Sequence, residues 1–284
     1  MKKQHWLLII SGLLLFVLIF FFGNTNPPKI ENNKVTHNES GHVHADSISF
    51  EKILEASKKQ LSPELEKSLQ LLEQSKYQGS ATNLRISDFK RFASFWKDSA
   101  HLLLPFAYYT GLASKLENSE KSLTFAAHYF LEGLRQQSDQ GLKRWMGIEA
   151  KTLFEQALSI NPNNDSTKIG LGSCYLFAPI SENPMQGIQL LREVSERDPN
   201  NIYAQFMLGL GGMQSGQYDK AIGRLQKVVV AQPQNLEAIL GLAESFEKVG
   251  NKKEAIRWYT ASKSFFNEKV ILKEIDDRIE ILKK

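Results

Sequence analysis

Apolar and polar positions recur at helical spacing along most of the chain. Phe50, Ile53, Leu54 and Ser57 fall on one helical face. Ser62-Pro63 supplies an N-cap with proline at the first helical position, and Leu65, Leu69 and Leu72 follow at helical spacing, so 47–77 reads as a helical hairpin. Residues 78–84 break the pattern. From 87 to 137 it is helical again and carries Phe89, Phe92, Phe95, Trp96, Phe106, Tyr108, Tyr109, Phe125, Tyr129 and Phe130. A ligand box could use such a stripe, but an irregular helical layer must bury a face to stay soluble, so the stripe reads as core. Pro105 marks a helix start or kink within 101–116.

Farther along, the pattern repeats. Asn161-Pro162-Asn163-Asn164, Asp198-Pro199-Asn200-Asn201 and Gln232-Pro233-Gln234-Asn235 each close an apolar helical stretch, with the prolines 37 and then 34 residues apart. Leu208-Gly209, Gly216-Gln217-Tyr218, Ala221, Leu225 and Val228 fill one unit. Leu242-Ala243, Gly250, Ala255, Tyr259 and Ser262 follow at the same 34-residue step. A fixed period in this range means stacked helical repeats and an all-α chain. Gly209 and Ala243 fill one small position, and Gly187, Ala221 and Ala255 fill a second, where two helices can cross closely. Leu191, Leu225 and Tyr259 cover the gap on the next turn. Gly216 and Gly250 stand where a helix must stop, and each proline blocks continuation of the second helix.

On these residues the chain resembles the tetratricopeptide repeat (TPR) family over roughly residues 120–268. The resemblance implies a right-handed solenoid of helical hairpins over 119–267, divided at about 119–164, 165–201, 202–235 and 236–267. An irregular helical region at 47–118 precedes it, and an amphipathic capping helix at 268–284 follows. The unit containing Leu171-Gly172 departs from the pattern, because 178–184 forms a longer loop between its helices. The first unit has a long, diverged leading helix near 119–138.

The amino end adds a compartment. A short basic flank, residues 1–5, precedes Trp6–Phe22, an uncharged apolar run. Its length of about 17 residues is at the low end for a spanning helix and slightly long for a signal-peptide core. Residues 23–28 lack a small-x-small cleavage site, so 6–22 is expected to be an uncleaved signal anchor. Lys2 and Lys3 predict a cytoplasmic amino end and an exported body, periplasmic in a double-membrane bacterium. Residues 23–46 read as a flexible polar tether. His37, His42 and His44 lie in it, but no cysteine or clustered carboxylate accompanies them, so no metal site is assigned.

Charge and candidate chemistry narrow the classes. The 35 basic and 31 acidic residues are interspersed, for a net charge of +4, so the segregated basic stripe of a nucleic-acid groove is missing. Cys174 is the single cysteine; it forms no internal disulfide and reads as a small core residue. Gly209-Leu210-Gly211-Gly212 lies inside a helix, not between a strand and a helix, so it is expected to serve helix packing and not phosphate binding. No catalytic residue, cofactor or metal is assigned.

The TPR resemblance places the first helix of each hairpin on a concave face. Its inward positions are Ser166, Ile169, Ser173, Leu176 and Phe177; then Tyr203, Phe206, Leu210, Met213 and Gln214; then Glu237, Leu240, Glu244, Glu247 and Lys248. Of these, Ile169, Phe177, Tyr203, Phe206, Leu210, Met213, Gln214, Leu240 and Glu244 are the candidate partner-binding set. An apolar centre with an acidic carboxyl end suits an amphipathic helix or an extended apolar peptide. The Lys/Asn/Arg set with which some family members clamp a terminal carboxylate is missing at these positions, so that mode is not expected. The expectation is a non-catalytic, membrane-anchored adaptor for a protein or peptide segment; its layout resembles that of envelope assembly factors. The alternative is a self-associating envelope protein whose groove is filled by a second copy or by its own 47–59 helix.

Overall fold

A computed structural model describes residues 48–180 and 185–284, and the described residues form thirteen α-helices and no strand. The expected anchor at 6–22 and the tether with His37, His42 and His44 lie outside the described residues. Among the described residues no helix is long and apolar enough to cross a membrane.

Four helices form the amino-terminal layer: α1 (Phe50–Lys58), α2 (Pro63–Gln74), α3 (Thr82–Ser94) and α4 (Leu103–Glu117). The Ser62 hydroxyl caps α2 by accepting from the Leu65 N–H at 3.4 Å, with Pro63 at the first position. Helix α3 runs directly into a π-helical turn, Phe95–Ser99, which carries the fully buried Trp96. Trp96 packs in a small core with Leu69, Phe92, Ala93 and Phe106. Positive φ at His101 and an extended Leu102 then redirect the chain. Pro105 falls in the first turn of α4, where its missing N–H would have had no helical partner; it opens that helix and does not kink it. Helix α1 folds onto α4, with the Phe50 ring stacked 3.5 Å from that of Tyr108 and edge-on to Tyr109 at 5.7 Å. Its Phe50 and Ile53 are therefore committed to this core and do not fill the groove of the repeats. Phe125 is the exception in the aromatic stripe: it is 54% exposed and meets Tyr129 edge-on at 4.9 Å.

Four hairpins follow. They pair α5 (Glu120–Gln136) with α6 (Gln140–Ile160), α7 (Asp165–Phe177) with α8 (Met185–Arg197), α9 (Ile202–Gln214) with α10 (Tyr218–Ala231), and α11 (Leu236–Lys248) with α12 (Lys252–Ser262). The recurring Pro-Asn turns have one geometry. The N–H of Asn164, Asn201 and Asn235 donates to the carbonyl three residues back, at 3.3, 3.0 and 3.0 Å, with proline at the second turn position. Each asparagine side chain then accepts from an N–H three residues on, at 3.0 Å in all three, and so caps the next helix. A single tetrapeptide thus ends one hairpin and begins the next. At the other end of the last two hairpins, Gly216 (φ 72°) and Gly250 (φ 79°) take the left-handed conformation. The Gln217 N–H reaches the Gly212 carbonyl at 2.8 Å and the Asn251 N–H reaches that of Phe246 at 2.9 Å, closing the first helix of each pair. The α7–α8 loop instead tucks back onto α6, where Arg144 donates to the Pro179 carbonyl at 2.7 Å.

Within each hairpin, small residues set the crossing. A Cβ on Gly187 of α8 would lie 2.4 Å from the Gly172 carbonyl oxygen of α7. In α9, a Cβ on Gly209 would meet Leu225 of α10 at 2.8 Å, and one on Gly211 would meet Leu176 of α7 at 3.0 Å. The glycine run is thus a packing strip shared by two neighbours. Ala221, Leu225 and Val228 of α10 are fully buried on this seam, as are Ala243 and Ala255 on the next. Helix α13 (Lys269–Lys283) closes the stack, burying Ile275, Ile279 and Leu282.

Two glycines give opposite expectations. Gly187→Ala drives a methyl into backbone that cannot yield, and should cost about 1–3 kcal/mol. Gly223→Ala has nothing within 4 Å of the added methyl, and should stabilise α10 by about 0.5–1 kcal/mol. Urea midpoints of the two variants, at unchanged slope, check the pair.

Candidate functional site

The first helices α5, α7, α9 and α11 form one continuous wall. Thr124 of α5 and Thr167 of α7 share a hydrogen bond at 2.9 Å, and His128 Nε2 lies 3.3 Å from the Ser166 hydroxyl. Arg135, near the end of α5, crosses the wall: its guanidinium lies 5.8 Å from the Phe177 ring centroid and 5.6 Å from that of Phe206. It then pairs with Glu237 on α11, 102 residues away. Packed helices sit about 8–10 Å apart, so a side chain reaching from the first of these helices to the fourth requires the row to curl. The wall is therefore the inside of a bend.

The candidate residues divide on this surface. Phe177, Leu210, Met213, Leu240 and Glu244 are half-buried, Gln214 is exposed, and Tyr203 is 38% exposed. Phe206 is only 8% exposed and has Arg135 over its ring. Ile169 is corrected by the structure: at 1% exposure it is core, because α7 packs against α5, α6, α8 and α9 at once. Ser173 and Leu176 are buried with it. The second hairpin contributes chiefly Phe177 to the accessible wall. Arg135 has no counterpart in the sequence reading. Carrying the inward register back into the diverged first helix leads to Thr124, His128 and Glu132, with Arg135 a turn farther on.

At the carboxyl end the acids are mostly engaged. Arg278 of α13 makes a two-pronged pair with Glu247, through Nε at 3.0 Å and through its second nitrogen, and the Tyr259 hydroxyl donates to Glu247 at 3.0 Å. Glu247 therefore locks the cap and is not free for a ligand. Glu244, one turn earlier, differs: its Oε2 is buried and has no hydrogen-bond partner. Burial lifts its carboxyl above the ordinary range; Lys248 pulls it back, Glu247 adds to the rise and Arg278 opposes it. Burial likewise raises the Tyr203 hydroxyl, with Arg135 opposing, and lowers the His128 imidazole, with Glu132 opposing. Cys174 is fully buried in the core and its thiol is pushed up by that burial, so it behaves as a small apolar side chain.

A curved stack of two-helix units with close small-residue crossings defines an α-helical repeat solenoid. The tetratricopeptide repeat family model matches residues 212–264, and that stretch of the chain carries tetratricopeptide repeat sequence. No curated protein matches the chain. Among solved structures, a crystal structure of MamA protein is similar at 14% identity, covering 63% of this chain and 90% of that one, with a TM-score of 0.46. MamA 41-end from Desulfovibrio magneticus RS-1 is similar at 17% identity, covering 63% and 94%, with a TM-score of 0.45. YrrB, a TPR protein with an unusual peptide-binding site, is similar at 18% identity, covering 66% and 99%, with a TM-score of 0.40. Likeness at this level supports no functional argument.

Glu244 sets a pH-dependent expectation. Its folded-state pKa is raised, so the folded chain holds this proton to higher pH than the unfolded chain does. The group therefore weakens the fold as pH rises through the window just above the ordinary carboxylate value. Glu244→Gln removes that penalty. Its thermal midpoint should match the wild type in acid, below the ordinary carboxylate value, and exceed it at neutral pH, as followed by circular dichroism.

Proposed function

We propose that this chain is a non-catalytic adaptor that holds a segment of another protein against the curved wall of α5, α7, α9 and α11. The observation that carries this reading is the strip of partly exposed apolar side chains on that wall: Phe177, Tyr203, Leu210, Met213 and Leu240. These side chains stand on helices fixed by backbone-close packing, so the surface is formed before any partner arrives, and little ordering is needed on binding. Helix α1, a candidate occupant from the chain itself, is packed elsewhere, which favours a partner over self-filling. We further propose that residues 6–22 anchor the chain in a membrane with the repeats exported, in service of envelope assembly. That part rests on the apolar run and its basic flank.

A photo-crosslinking residue at position 203, in living cells, tests the adaptor. A distinct protein should be captured, and the adduct should vanish in Leu210→Arg, which sets a charge on the wall without touching the hairpin seams. Adducts to a second copy, matched by concentration-dependent sedimentation, would replace the adaptor with a homodimer. For the anchor, membrane association should survive alkaline extraction and disappear when residues 1–22 are deleted. A chain extracted intact by alkali would rule the anchor out.

A further inference from the structure

The wall already holds one cation, and the protein supplies it. The Arg135 guanidinium is bracketed by the rings of Phe177 and Phe206 and faced by the Glu237 carboxylate. Two aromatic rings and an acid make a good environment for a cation. Arg135 projects into that cage from α5, whereas the cage is built by α7, α9 and α11, so its walls do not depend on which cation occupies it. Its pair with Glu237 is partly solvent-exposed, with the carboxylate 52% exposed, and such pairs hold weakly. An incoming cation can therefore compete for the place.

A second feature, on the same wall, asks for the same chemistry. Glu244 presents a buried oxygen without a donor, one turn from the half-buried Leu240. A buried acceptor left unpaired is costly, and a ligand N–H met by a rotation of this half-buried side chain would relieve that cost. Of the remaining inward charges, Glu132, Glu237 and Glu244 are acids and Arg135 and Lys248 are bases, Glu247 being held by Arg278. An acidic segment would meet three carboxylates against one guanidinium and the Lys248 ammonium, whereas a basic one finds two places prepared for it.

Building on the adaptor reading, we infer that the segment bound by the wall comes from a separate protein, is apolar and carries basic side chains. One of these donates to Glu244, and another takes the Phe177–Phe206–Glu237 cage from Arg135. Arg135 is then an internal stand-in for the partner's cation: it keeps the cage filled in the free protein and raises the threshold for weak, uncharged apolar segments.

The test uses fluorescein-labelled synthetic heptapeptides of the form Leu-Phe-X-Leu-Phe-X-Leu, with X as arginine, glutamine or glutamate, titrated against the full chain by fluorescence anisotropy. The arginine peptide should bind on the order of tenfold tighter than the glutamine peptide, with the glutamate peptide weakest. Glu244→Gln should weaken the arginine peptide by about tenfold and the glutamine peptide, whose amide donates without a charge, far less, while Arg135→Ala should tighten the arginine peptide. The peptide series needs no altered protein, so it reads selectivity even where a variant misfolds. Equal affinity for the arginine and glutamine peptides, or a preference for glutamate, overturns the inference but leaves the wall a binding surface. Failure of all three peptides on both wild type and Arg135→Ala also overturns it. If position 203 still captures a partner in that case, the adaptor reading survives without it, and if that capture fails too, both fall.

Discussion

The approach of α7 to α8 is close enough that only glycine is accommodated on each side, at Gly172 and Gly187, and the next hairpin uses Gly209 against Leu225 and Gly212 against Ala221. Everything beyond the single hairpin depends on these crossings. Two helices that nearly touch form a thin wedge, not a loose pair, and stacked wedges turn by a constant amount. The Pro-Asn turns set the other dimension. By ending one helix and capping the next within four residues, they leave no slack through which successive wedges could rotate relative to one another. The inner wall is the consequence: it is positioned by seams that no ligand touches.

Most contacts in such a stack are between neighbours, and Arg135 with Glu237 is an exception. The link spans the bend and has meaning only when the curl is intact. It is nonetheless a poor candidate for a main source of stability, since both groups reach solvent and exposed pairs contribute at most about 1 kcal/mol. The cap is held differently. Glu247 receives Arg278 from α13 and the Tyr259 hydroxyl from α12 at a partly buried site, tying three helices at one carboxylate. The two Arg-Glu links therefore separate by consequence: the one at the end of the stack secures an edge, and the one in the middle occupies a surface.

What was legible in the sequence was whatever depends on near neighbours along the chain. Pro162, Pro199 and Pro233 announce their turns because proline and asparagine act within four residues, and Gly216 and Gly250 announce helix ends because only a left-handed residue closes them so tightly. The glycine run at 209–212 is legible as packing because its apolar helical surroundings lie within one turn on either side. The site was less legible, because its character depends on curl. Register alone puts Ile169 on the inner face, yet α7 is surrounded by four helices and that position is core. Register puts Glu247 on the inner face, yet Arg278, 31 residues later, claims it. Arg135 is not legible, because the first unit's leading helix departs from the pattern and no local signal says that its end reaches three wall helices along. The position of α1 is similarly non-local: Phe50 could have covered any apolar face, and the stacked ring of Tyr108 selects one.

The wall thus carries two kinds of group with different freedom to change. Phe177, Phe206, Leu210 and Met213 stand on helices whose spacing is set by glycine and alanine seams, so their positions are fixed by the stack. Arg135 stands at the last turn of α5, where the helix ends at Gln136 and the backbone holds it less firmly. A long, flexible side chain at a helix end can leave a rigid aromatic pair without disturbing the helices that carry that pair. Separating the occupant from the frame in this way lets the surface exchange one cation for another at the cost of a single weak link, whereas the same arginine placed mid-helix on α7 would be bound into the core around it.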